Sequence, residues 1–184
     1  MLNKIKSKID LIPFFTNVLL ENGVGVLIDE AMPQESYIVI NIDEYYHRKG
    51  QKPTPEIADI FIIAQRLSNK ELHQIYIVEM KNISSPRRFD KDNIIKKFNT
   101  AIEDFMKIKY SDVFMDESYK VEKFKLYFVN DAYRLKKRGM TEEQINSFLL
   151  ETKIMLLNSI QCFTYRNFIA RIEPKLPNPL LEWY

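Results

Sequence analysis

Residues 55–82 read PEIADIFIIAQRLSNKELHQIYIVEMKN. Two runs rich in Ile and Val flank a polar turn at Asn69-Lys70, the pattern of a β-hairpin. Both runs are apolar on successive residues, so both faces of each strand need cover and the hairpin belongs in the middle of a sheet. The same stretch carries charge where cover is expected. Asp59 interrupts the first run, and Glu79 and Lys81 close the second. A buried charge is costly unless it is paired or holds a metal ion.

Local geometry narrows the choice. With the turn centred on Asn69-Lys70, Asp59 falls opposite Met80, between Glu79 and Lys81. Side chains alternate along a strand, so Glu79 and Lys81 share a face. A small shift of register brings Asp59 onto that face as well. Two carboxylates and an ammonium are then gathered at one end of a buried hairpin. Phosphodiester hydrolysis uses such a set: carboxylates bind Mg²⁺, which also holds phosphate oxygen, and a lysine orients the attacking water or offsets developing charge.

The rest of the chain supplies covers for a sheet. A helix is expected over about Asp10 to Glu21, ended by Asn22-Gly23, then short strands in VGVLID and SYIVINID. EYYHRKGQKPTP reads as a loop. Asp90 is placed to cap a helix from about Lys91 to Lys109, with an apolar stripe of Ile94, Ile95, Phe98, Ile102, Phe105 and Met106. KFKLYFVN reads as a strand, and Thr141 with Gln144 as a capping box for a helix to about Leu157. SIQCFTY and RNFIARIE form a closing hairpin. The Pro-rich tail, at about 174–184, is expected to run over the surface. The fold class is α/β, with a central mixed β-sheet flanked by helices, in a single domain over residues 1–184.

Composition restricts the function. Net charge is +2, too balanced to indicate nucleic-acid binding on its own. A single cysteine, Cys162, allows neither an internal disulfide nor a thiol-rich zinc site, and a reducing cytoplasm is the expected location. No apolar run is long enough for a membrane span. There is no Gly-rich phosphate loop, so no nucleotide cofactor is expected.

An acid on one strand, about twenty residues, and then Glu-x-Lys at the end of the next strand resembles the PD-(D/E)XK nuclease superfamily, the fold of restriction endonucleases. The resemblance covers roughly Asp10 to Asn130 and departs from the motif at Ala58, where a proline is usual. It implies a restriction-endonuclease-like fold with Asp59 and Glu79 as Mg²⁺ ligands, Mn²⁺ as a substitute ion, and Lys81 as the catalytic lysine. It also implies an acid from the leading helix, with Glu21 in the matching position and Glu44 and Glu56 as weaker matches. The implied activity is DNA cleavage by a small homodimeric type II restriction enzyme. Open alternatives are a repair, recombination or defence nuclease acting on structured or single-stranded DNA or RNA, and a non-catalytic binding module of the same fold.

Glu-x-Lys recurs at Glu151 and Glu173. The first lies in a predicted helix, where spacing of two separates the side chains. The second contains Pro174, which is expected to end its strand. The basic residues nearest the hairpin are Arg48, Lys49 and Lys52 before it and Arg87 and Arg88 after it. These are the expected phosphate contacts. Lys96-Lys97 reads as a solvated charge run.

Overall fold

The computed structural model describes residues 1–17, 19–21, 23–50, 55–66, 68–83, 89–131, 138–150 and 162–181. Its helices are α1 (Leu2–Lys6), α2 (Ile42–Arg48), α3 (Lys91–Thr100), α4 (Ser111–Phe114) and α5 (Glu142–Leu150). Its strands are β1 (Leu20–Glu21), β2 (Val24–Gly25), β3 (Leu27–Ile28), β4 (Tyr37–Asn41), β5 (Ile60–Gln65), β6 (Leu72–Lys81), β7 (Lys120–Asn130), β8 (Cys162–Tyr165), β9 (Phe168–Lys175) and β10 (Leu180–Leu181). Six of these form a mixed sheet in the order β4-β5-β6-β7-β9-β8. β4, β5 and β6 are an antiparallel meander. β7 runs parallel to β6 and β9 parallel to β7, and β8 returns antiparallel on β9.

The hairpin strands β5 and β6 are interior, as their unbroken apolar runs require. Alternation sends Phe61, Ile63, Ile75, Ile77, Leu126 and Phe128 into the larger core, with the helical residues Ile94, Phe98, Phe105 and Phe114. The opposite face is a smaller cluster of Val39, Ile60, Ile62, Tyr76, Val78 and Val129, covered by Val24, Val26 and Leu181. The cover depends on close backbone approach: a Cβ on Gly25 would lie 2.1 Å from the Leu19 carbonyl oxygen. β10 pairs with β3, so the tail is part of this cover rather than a surface strand, and Leu181 is fully buried.

Three further expectations are corrected. The helix expected over Asp10 to Glu21 is a single 3-10 turn at Ile12–Phe14, with Pro13 in its first turn. A proline disfavours helix at the residue before it. The chain then extends along β4, where Phe15 bridges Ile40 and the Thr16 N–H donates to the Val39 carbonyl at 3.0 Å, covering the sheet edge. The loop expected from Glu44 begins as α2 instead. Asn41 caps that helix by accepting from the Glu44 N–H at 2.8 Å, Asp43 and Glu44 lie in its first turn, and Gly50 follows it with φ +66°. Pro174 does not end β9, which continues to Lys175. β8 pairs only as far as Arg171, so at Pro174 the strand has a neighbour on one side and a missing N–H is tolerated.

The helix expected from Lys91 to Lys109 is present and changes character part-way. Asp90 caps α3 through the Asn93 N–H at 3.0 Å, and from Ala101 to Lys109 the turns widen to a π-helix. The Thr141–Gln144 capping box is formed in both directions. The described part of α5 ends at Leu150.

Candidate active site

Hairpin register decides what meets Asp59. Ile60 pairs with Val78 and Phe61 with Ile77, one step from the register expected of the sequence. Continued outward, the observed register sets Asp59 against Glu79, on the helix-covered face. The Asp59 Oδ2 accepts a hydrogen bond from the Met80 N–H. The backbone at Asp59 is fixed from the other side by α2. The Ile42 N–H, at 3.1 Å, and the Asp43 N–H, at 3.4 Å, both donate to the Asp59 carbonyl. These N–H groups at the start of a helix have no acceptor within it.

Glu79 is 1% exposed. Its partner is Lys97 from α3, whose Nζ lies 2.8 Å from Oε1 and 3.0 Å from Oε2. The same ammonium is 3.9 Å from Asp59 Oδ1. One lysine thus joins two carboxylates, Asp59 just before β5 and Glu79 on β6. In sequence Lys97 is hidden as a site residue, because Lys96-Lys97 has the pattern of a solvated surface pair. The available signal was its spacing of three from Ile94, which puts it at the border of the buried stripe of α3.

The charges are unevenly balanced. Burial, and then the Asp59 charge, push the Glu79 carboxyl up to about 8, against the opposing pull of Lys97 and Lys81. Burial works against the Lys97 charge, but Glu79 and Asp59 outweigh it and the Lys97 pKa is raised. Lys81 is half-buried on the same strand and two residues from Glu79, close enough for its charge to act on that carboxylate. Its side chain makes no hydrogen bond or ion pair among the described residues.

No protein family, characterised protein or solved structure matches this chain. Among the described residues no group of three or more His, Cys, Asp or Glu side chains gathers to hold a metal ion. Asp59 and Glu79 form a two-carboxylate set, which suits Mg²⁺, an ion bound through one or two carboxylates with water and substrate phosphate completing its shell.

The other candidates fall elsewhere. Glu21 lies on β1, paired with Val24, and not on a leading helix; its side chain is outside the described ones. Glu44 pairs with Arg48 on the surface of α2. Arg48 and Lys49 stand at the end of α2 away from Asp59, about 10 Å along its axis. Lys49 is engaged locally, 3.8 Å from Asp10 and over the Tyr45 ring. Lys52, Arg87 and Arg88 lie outside the described residues, as does Glu151. Glu173 is held between Lys125 at 2.5 Å and Lys175 at 3.0 Å, with no second acid beside it in these contacts. No helix among the described residues is long and apolar enough to cross a membrane.

Proposed function

We propose that this chain is a Mg²⁺-dependent endonuclease hydrolysing DNA phosphodiester bonds, of restriction-endonuclease-like fold and acting in the cytoplasm. The observation that carries the reading is the convergence of Asp59 and Glu79 at one end of the β5–β6 hairpin, with Lys81 on the same strand face as Glu79. The topology supports it too. The motif hairpin is followed by a helical crossover to a parallel strand, which is the order that the PD-(D/E)XK resemblance implies. The leading helix of that pattern is missing from residues 10–17, so the proposed cation site rests on two carboxylates.

In this reading Asp59 and Glu79 would hold the cation, which when bound would polarise the phosphate and activate water. Lys81 orients the attacking water or offsets charge on the phosphate. The near-balanced charge suits a site-specific enzyme, and a type II restriction enzyme working as a homodimer is the form proposed. A plasmid incubated with the protein is cut into discrete fragments with Mg²⁺, and with Mn²⁺ in its place, but stays intact with EDTA. Glu79→Ala and Lys81→Ala lose cleavage by at least about 100-fold while far-ultraviolet circular dichroism is unchanged. Undiminished cleavage by both variants refutes the assignment.

A second reading has one observation in its favour. Glu79 already has a cation in Lys97, so the charges can be a structural ion pair in a non-catalytic module. Failure to cut plasmid, structured oligonucleotides and RNA, together with no Mn²⁺ binding by calorimetry, selects that reading.

A further inference from the structure

We propose that Lys97 is the resident counter-ion of Glu79, which a divalent cation displaces, and that the released ammonium then engages the substrate phosphate. The inference rests on the reading of Asp59 and Glu79 as cation ligands and adds to it a third working side chain, from α3.

Geometry supports the exchange. Both Glu79 oxygens accept from the Lys97 ammonium, and Asp59 Oδ1 is 3.9 Å from it, so the lysine ammonium occupies the place beside both carboxylates that would hold a cation. Glu79 is almost inaccessible, at 1%, whereas the Lys97 side chain is 16% exposed and opens toward solvent. The α3 backbone is fixed by the Asp90 cap and by fully buried Ile94 and Phe98. Movement of Lys97 is therefore a change of side-chain rotamers, for which its four-carbon stem is suited.

Charge supports it as well. With both carboxylates ionised, the form that can hold a cation, they and the ammonium sum to −1, and a divalent cation makes the set +1. An ammonium and a divalent cation on one buried carboxylate repel strongly. The approaching phosphodiester carries the negative charge that accommodates the released ammonium. Lys81 faces no such competition, since no side-chain ion pair holds it among the described residues.

The test is calorimetric titration of Mn²⁺ into the intact chain, Lys97→Met, Lys97→Arg and Glu79→Gln, with plasmid cleavage measured beside it. Lys97→Met is expected to bind Mn²⁺ about tenfold tighter than the wild type or more, because a repelling charge is gone. Its unfolding temperature should rise further on adding Mn²⁺ than that of the wild type. Its cleavage should be lost, and Lys97→Arg should restore affinity to near the wild-type value. Equal or weaker Mn²⁺ binding by Lys97→Met, with Glu79→Gln impaired, overturns the exchange and leaves the cation site standing. Full cleavage by Lys97→Met overturns the phosphate contact. No Mn²⁺ binding by the wild type, or equal binding by Glu79→Gln, overturns both the exchange and the cation site. Should Lys97→Met fail to fold, Lys97→Gln removes the charge while keeping a donor and carries the same comparison.

Discussion

Glu79 is the residue on which burial and charge conflict most directly. Its carboxyl is pushed up to about 8 in the folded chain, from a model-peptide value of about 4.3. Between those two values the folded state keeps a proton that the unfolded chain has released. The stability this contributes is full below the lower value and is lost as pH rises through the higher one. The N-terminal amine, lowered to about 6 by burial, and His73, lowered by burial, act in the opposite sense, so we expect the Glu79 component as a difference: urea unfolding of the wild type loses stability relative to Glu79→Gln as pH rises from about 5 to 8. Equal slopes would remove Glu79 as the cause. At this scale the sequence was partly readable. Asp59, Glu79 and Lys81 could be brought together because strand alternation and a short turn are local properties. Lys97 could not, because its meeting with Glu79 depends on how α3 docks on the sheet, and helical periodicity alone does not set that angle.

Elements were legible where a cap or turn sits beside the pattern it ends. Asp90 and the Thr141–Gln144 box marked their helices correctly. α2 is masked in the sequence although Asn41, Asp43 and Glu44 carry the signals of a helix start, because the Tyr45–Gly50 stretch is polar overall and its tyrosines resemble loop aromatics. Tyr45 and Tyr46 in fact pack edge-on at 5.3 Å within the core, and the Tyr46 hydroxyl donates to Asp104 of the π-helical turns. Asn41→Ala should lower stability by about 1 kcal/mol in urea unfolding, the usual cost of a lost cap. If the chain cleaves DNA as proposed, the same substitution should reduce cleavage, since the Ile42 and Asp43 N–H groups of α2 hold the Asp59 carbonyl. Arg166 is a different kind of tie. From the β8–β9 turn, at φ +50°, its guanidinium donates to the Phe114, Asp116 and Tyr119 carbonyls. Arg166→Met strands those acceptors and should cost about 2 kcal/mol, read as a lower denaturation midpoint with an unchanged m-value.

At the scale of the whole molecule, β6 organises the rest. It joins the antiparallel meander to the parallel strands, and its last residues carry the candidate site. If the molecule binds DNA as proposed, affinity should fall linearly with the logarithm of salt concentration. The slope measured on a 20-base-pair duplex should drop by about 1 for each phosphate-contacting Lys or Arg removed. The sheet order was beyond the sequence because pairing of β7 with β9 joins segments far apart in the chain, whereas the β5–β6 and β8–β9 hairpins are each set by a local turn. The same separation governs β3 and β10, the two small strands that clasp the second face. Leu27 donates to the Pro179 carbonyl and Asn178 to Gly25, across nearly the full length of the chain. A loop of that length costs more entropy to close than the short turns of the β5–β6 and β8–β9 hairpins. A protease cutting within residues 176–179 would open the clasp and leave Asp59, Glu79 and Lys97 in place. The valines and isoleucines beneath it would then meet water, and the nicked protein would fail first by aggregating.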